Sequence, residues 1–308
     1  MSNKSESDCT ALENQIKRLE ATQARLQKSL QKAAGEEKQS LLREIRELES
    51  EIRPKQMEFN LQRCRRLNMK WTVAGEPREA LVFPPFTAGK HPLIFAWHGH
   101  GGSMEGAAEQ MHFQTVWPEA IVVYAQGLTT KSVHDKDGQG AGWQKETDPK
   151  NRDLKLFDAM LATMRAEYSI DDSRIYTAGF SNGTGFSYLL WVERGRILAA
   201  IGAVSGVLLD PERHKPTPPR ALISIAGSAG IAPDAVQATV DRARQINGTG
   251  PRQTCDKPDG APKHTKCHFY PSPTTPVKQI TYPGGHEYPS WAPDEILRFF
   301  MHHQRPQG

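Results

Sequence analysis

Arg174-Ile-Tyr-Thr-Ala178, then Gly179-Phe-Ser181-Asn-Gly183, then Phe186-Ser-Tyr-Leu-Leu-Trp191 is the stretch from which the rest of the chain can be read. The first segment has the β-branched and aromatic character of a strand, and the last has the apolar spacing of a helix. Between them stands the pattern G-x-S-x-G. A serine on so tight a strand-to-helix corner is lifted clear of the sheet, and the helix behind it points its N-terminus at negative charge developing nearby. Side chains two residues before or after the serine would meet neighbouring backbone, which explains glycine at both places. Ser181 is therefore the expected nucleophile. Asn182-Gly-Thr184 also matches a glycosylation sequon, a coincidence at such a corner.

Working outward, the pattern alternates. Leu67 to Val73 and Ala80 to Phe83 read as edge strands of a hairpin around Gly75-Glu-Pro77. Pro92 to Trp97 and Ala120 to Tyr124 are continuous apolar runs of the kind buried in parallel sheets. Leu154 to Tyr168 has helical spacing; Ala199 to Val204, Ala221 to Ala226 and Val277 to Tyr282 complete the strands. Asp294 to His302 closes the chain as a helix. Strands and helices in alternation predict an α/β fold, a mostly parallel central sheet with helices on both faces.

Two further loops belong with the serine. His98-Gly-His-Gly-Gly102 follows the Pro92 strand, where glycines allow backbone to approach a substrate carbonyl. The expected oxyanion donors are the N–H groups of His100, with Gly101 second, and of Asn182 directly after the nucleophile. A metal site on His98-x-His100 lacks a third ligand nearby, and no cofactor or metal is expected. Six of the eleven histidines follow Ser181, and only His286, in Pro283-Gly-Gly-His-Glu-Tyr-Pro289, directly follows a predicted strand. It is the expected general base. Asp135-Lys-Asp-Gly138 resembles part of a calcium loop without its remaining acids and reads as a solvated loop.

Composition changes near Pro54. Before it, Leu12, Ile16, Leu19, Leu26, Leu30 and Ala33 form one heptad-like seam, and Leu41, Ile45, Leu48 and Ile52 a second. The expected organisation is a helical, coiled-coil-like or hairpin extension over 1–58 and a catalytic domain over 59–308. Gly35 either turns the chain into an antiparallel hairpin or marks a stutter in one long helix. Self-association, spacing from a surface and packing on the chain's own domain all stay open for this segment.

Over the 308 residues, 24% are charged and 37% hydrophobic, with net charge +4. That balance fits a globular protein, and Lys and Arg interleaved with Glu and Asp give no nucleic-acid surface. No run approaches the roughly 18 apolar residues of a membrane span. The polar start Met1-Ser-Asn-Lys-Ser-Glu6 leaves two readings, a cytoplasmic protein or a mature form whose export signal was removed. Cys255 and Cys267 bracket a Pro-, Gly- and Lys-rich loop, where a bridge would replace a missing core, and a bridged and an unbridged loop both remain open. Cys9 and Cys64 have no evident partner in the sequence.

From about Arg66 to Phe300 the chain resembles the polyhydroxybutyrate depolymerase/feruloyl esterase group of α/β-hydrolases. The matching residues are the His98-Gly loop, Gly142-Trp143, Asp153, Tyr168-Ser-Ile-Asp171-Asp-Ser-Arg174, the Ser181 corner and Gly284-Gly-His286-x-x-Pro289. The resemblance implies an uncapped serine esterase, secreted or periplasmic, acting on hydroxyalkanoate polymers or on feruloylated or acetylated polysaccharides. In that group the triad acid sits in a Gly-Thr-x-Asp turn. Here the turn reads Gly227-Ser-Ala-Gly230, so the expected acid is Asp234 in the same loop, with Asp210 as the alternative. Trp143, Tyr288 and Trp291 are candidate substrate-binding aromatics.

The function expected is hydrolysis of a carboxylic ester through an acyl-enzyme. The absent aspartate supports one alternative, a catalytically weakened binding module that works through its helices. Peptide hydrolysis would call for an added domain or a deep pocket to hold the chain.

Overall fold

The computed structural model describes residues 6–61, 66–85, 87–132, 134–209, 217–230 and 232–306. Expectations placed on Asp210, Cys64 and the side chain of Cys9 fall outside this description. The chain divides into two compact units, Met1–Arg66 with Gln114–Pro118, and Leu67–Phe113 with Glu119–Gly308.

The first unit contains α1 (Glu6–Leu30) and α2 (Gly35–Leu61). They lie antiparallel: Gln23 donates to Glu49, and Gln56 to Glu20. Gly35, at φ 58°, ends the turn between them, so the two apolar registers belong to a hairpin and not to one long helix. Pro54 lies inside α2, which runs beyond the expected boundary at 58.

The second unit is built on a ten-stranded sheet. Its early elements are β1 (Leu67–Val73), β2 (Glu76–Phe83), β3 (His91–Trp97), α3 (Met104–Met111), β4 (Ile121–Ala125), β5 (Leu128–Thr129) and β6 (Ala141–Gly142), while the short α4 (Phe113–Val116), between α3 and β4 in the chain, falls mostly to the first unit. Then come α5 (Arg152–Glu167), β7 (Ile170–Phe180), α6 (Asn182–Arg194), β8 (Ala200–Val204), β9 (Ala221–Gly227) and α7 (Pro233–Asn247). The chain ends with β10 (Gln253–Thr254), β11 (Lys266–Tyr270), β12 (Val277–Tyr282) and α8 (Ala292–Met301).

The strand order is β1-β2-β4-β3-β7-β8-β9-β12-β11-β10. From β4 through β12 every neighbouring pair is parallel, and the antiparallel pairs lie at the two edges. This is the mostly parallel sheet that the continuous apolar runs predict. Alternation along β7 assigns the helices to faces. Thr177 hydrogen-bonds Ser187 of α6, while the Tyr176 ring stacks on Phe300 of α8. A core of Phe95, Trp97, Trp143, Phe157 and Phe186 fills the face under α5 and α6.

The sequence reading missed α3, α4, β5, β6, β10 and β11. α3 is capped by Ser103, whose side chain accepts from Gly106 N–H. β5 and β6 form a two-stranded ribbon beside the main sheet, and β10 and β11 extend its far edge. Cys255 and Cys267 form a disulfide at that edge.

Candidate active site

Parallel strands end together, so the loops after β3, β7, β8, β9 and β12 gather at one edge of the sheet. Ser181 lies between β7 and α6 at φ 52°, ψ −113°, a strained conformation for a residue with a side chain. The neighbours enforce it. A Cβ on Gly179 would lie 2.3 Å from the carbonyl of Gly183, and one on Gly183 would lie 2.2 Å from Trp97 O. The Thr184 hydroxyl, 2.7 Å from the carbonyl oxygens of both Gly179 and Val204, ties the corner to β8.

The Ser181 hydroxyl donates to His286 Nε2 across 2.7 Å. The loop that carries His286 is braced by the turn after β9: Ser228 N–H donates to Tyr282 O and Ala229 N–H to Gly284 O. The Phe180 ring stacks on the imidazole with 5.3 Å between centroids, and Tyr288 meets Phe180 edge-on. Burial lowers the His286 pKa below the usual histidine value, and the nearby charge of His134 pushes the same way. The imidazole thus stays neutral, as a base must be, to lower pH than a free histidine.

His286 Nδ1 is buried and has no hydrogen-bond partner among the described residues. The structure does not bring Asp234 to it: that residue is exposed in the first turn of α7, behind Pro233. There the helix dipole accounts for an acid without any catalytic task.

The other expected residues separate by burial. Asn182 directly follows Ser181, and its side chain and that of His100 both close on Gly142. Asn182 N–H opens α6 and has no intrahelical acceptor. His98 is buried, with Nδ1 on Gly99 O and Nε2 receiving Gly127 N–H, so both ring nitrogens are used within the protein. Trp143 is 0% exposed; its ring packs on Trp97, Phe186 and His98, and its Nε1 donates to His98 O. The assignment to substrate binding is corrected for Trp143, because no part of the ring is free to meet a ligand. Tyr288 is 9% exposed and Trp291 8%. The first supports Phe180 and the second packs edge-on against Tyr282, so both serve the base loop through packing.

Asp135, read in the sequence as part of a solvated loop, is instead tied to His100. Its carboxylate accepts from the N–H groups of Gly138, Gln139 and Gly140 and from His100 Nε2. These bonds hold its pKa far below the usual carboxylate range.

The sheet order and the serine corner define an α/β-hydrolase, and the comparisons agree. Residues 25–193 match the family model described as acetyl xylan esterase (AXE1). The chain belongs to this family and is a carboxylic ester hydrolase. It is 28% identical over 219 residues to a probable feruloyl esterase C of Aspergillus clavatus, covering 68% of this chain and 76% of that protein. Among solved structures, an acetyl xylan esterase from Aspergillus awamori superposes with a TM-score of 0.56 at 15% identity, over 76% of this chain and 99% of the other. A ferulic acid esterase superposes at 0.55 with 14% identity, over 76% and 96%. At such identities the superpositions speak for the fold.

Proposed function

We propose that the chain hydrolyses feruloyl or acetyl esters of plant polysaccharide through an acyl-enzyme on Ser181. The observation that carries the reading is the Ser181–His286 hydrogen bond on a strained corner. Ser181 Oγ attacks the ester carbonyl as its proton passes to His286 Nε2. The tetrahedral oxyanion lies between the N–H groups of His100 and Asn182, and collapse expels the alcohol, which takes the proton from His286. Water then repeats the sequence on the acyl-serine, releasing the acid and restoring both residues.

Among the described residues Ser181 and His286 act in this scheme as a dyad, with the imidazole held by Phe180 and by burial. The family membership and the feruloyl esterase relatives favour plant esters over hydroxyalkanoate polymers. The Cys255–Cys267 disulfide supports an oxidising compartment, hence a secreted or periplasmic setting.

The test compares methyl ferulate, acetylated xylan and a hydroxybutyrate oligomer as substrates for the wild type, Ser181→Ala and Asp210→Asn. The reading expects turnover of the first two by the wild type, loss of it in Ser181→Ala, and little change in Asp210→Asn. A preference for the hydroxybutyrate oligomer would overturn the substrate assignment, and a crippled Asp210→Asn would overturn the dyad. A wild type no faster than Ser181→Ala would favour the binding-module alternative.

A further inference from the structure

We infer that Asp135 is a positioning residue for the oxyanion site, acting through a strap, residues 135–143, that sets the separation of the two N–H donors. The inference rests on the acyl-enzyme reading above and concerns how that site is held in register.

Each donor residue is tied to this same strap. On one side, His100 Nε2 donates to Asp135 Oδ2 across 2.9 Å, and the next residue, Gly101, gives its N–H to Ala141 O at 2.7 Å. On the other, Asn182 Oδ1 accepts Trp143 N–H at 2.7 Å, and Asn182 Nδ2 donates to Trp143 O. Between these anchors lies Gly142, packed so closely that a Cβ there would sit 2.8 Å from His100 Nδ1 and 3.1 Å from Asn182 Oδ1. The strap thus spans from one donor residue to the other with no room to spare.

Asp135 gives the strap its shape. Three successive N–H groups, of Gly138, Gln139 and Gly140, converge on its two carboxylate oxygens, and the His100 imidazole adds a fourth donor. The far end is fixed by Gln144 N–H on buried Asp153 and by Trp143 Nε1 on His98 O. A carboxylate that collects four donors leaves the His98–Gly102 loop one orientation relative to the N-terminus of α6. Oxyanion stabilisation depends on donor placement in the transition state far more than on substrate binding, so loosening the strap should be felt in kcat.

The decisive experiment is steady-state hydrolysis of p-nitrophenyl acetate by wild type, Asp135→Asn, Asp135→Ala, His100→Ala and the Asp135→Ala/His100→Ala pair, with Ser181→Ala as background. Inhibition by a boronic acid, which forms a serine adduct resembling the tetrahedral intermediate, is measured in parallel. The expected result is a kcat lowered by about 10- to 100-fold in Asp135→Ala, with KM within about twofold, as for a donor misplaced but not removed. Boronate affinity should fall in step, and the double variant should be no worse than the worse single one, because both remove the same tie. Gly142→Ala, which crowds His100 from the other side, should show the same split between kcat and KM.

If Asp135→Ala folds, matches the wild type in kcat and boronate affinity, and Ser181→Ala is inactive, the positioning role is overturned while the esterase reading stands. A lowered melting temperature with unchanged kcat would likewise reduce Asp135 to a structural residue. A wild type no faster than Ser181→Ala would overturn both.

Discussion

At the scale of single residues, the chemistry turns on His286 Nδ1. With Nε2 accepting from Ser181, Nδ1 carries the proton and lacks an acceptor among the described residues. Position 230 lies against the same loop: a Cβ built there would be 3.3 Å from Gly285 O, one residue before the histidine, and 3.0 Å from Gly227 O. Gly230→Asp puts a carboxylate in the turn that braces the His286 loop and should raise kcat at least about tenfold, well short of the ~10⁴ that an established triad aspartate is worth. Steady-state kinetics of the folded variant check this, and an unchanged or lower kcat would count against the geometry. The pH profile offers a second check. Burial and the charge of His134 both lower the His286 pKa, so the acid limb of kcat/KM should lie below the ordinary histidine value. Protonated His134 disfavours a second positive charge. His134→Gln should consequently move that limb upward, and a limb that stays put or moves down would contradict the assigned cause.

At the scale of elements, the nucleophile corner and the distal disulfide depend on different physics. Gly179 and Gly183 are excluded from carrying side chains by backbone at 2.3 and 2.2 Å. Gly179→Ala should cost roughly 2–3 kcal/mol of stability, at the upper part of the range for overpacking, measurable by urea unfolding. Cys255 and Cys267 are 12 residues apart, and opening that loop in Cys255→Ala/Cys267→Ala should cost about 3 kcal/mol by the chain-entropy estimate. The corner, the central strands and the base loop were legible in the sequence because each has a short-range signature: an apolar run, a glycine pair, a histidine directly after a strand. The Asp135 strap was not, because its partners are backbone N–H groups and a histidine 35 residues away. Its acid-and-glycine composition looks like a partial metal loop. β10 and β11 escaped for a related reason, being short edge strands with exposed, polar positions such as Gln253, Thr254 and Lys266. Trp143 shows a third limit, since a tryptophan beside a cleft and one beneath it look alike in sequence.

At the scale of the whole molecule, the site is held between distant parts of the chain by buried polar contacts. Arg78 on β2 donates to Asp153 at the start of α5 and to Gln126 O beyond β4, with both charged side chains essentially inaccessible. Asp153 also accepts Gln144 N–H at the end of the strap. Desolvation lowers the Arg78 pKa and Asp153 opposes that shift, so removing the acid would leave a buried cation without its counter-charge. Asp153→Ala should destabilise by about 3–5 kcal/mol in urea unfolding, and a loss below about 1 kcal/mol would contradict this account of the pair. The N-terminal helix pair belongs to its own compact unit together with Gln114–Pro118, its two helices paired as a hairpin.

Whether Ser181 carries the acyl group is read by intact-mass spectrometry of rapidly quenched protein exposed to p-nitrophenyl acetate. The expected result is one added acetyl group on the wild type, located to the peptide containing Ser181, together with turnover that Ser181→Ala abolishes. Equal labelling of Ser181→Ala, or turnover that survives the substitution, would contradict it.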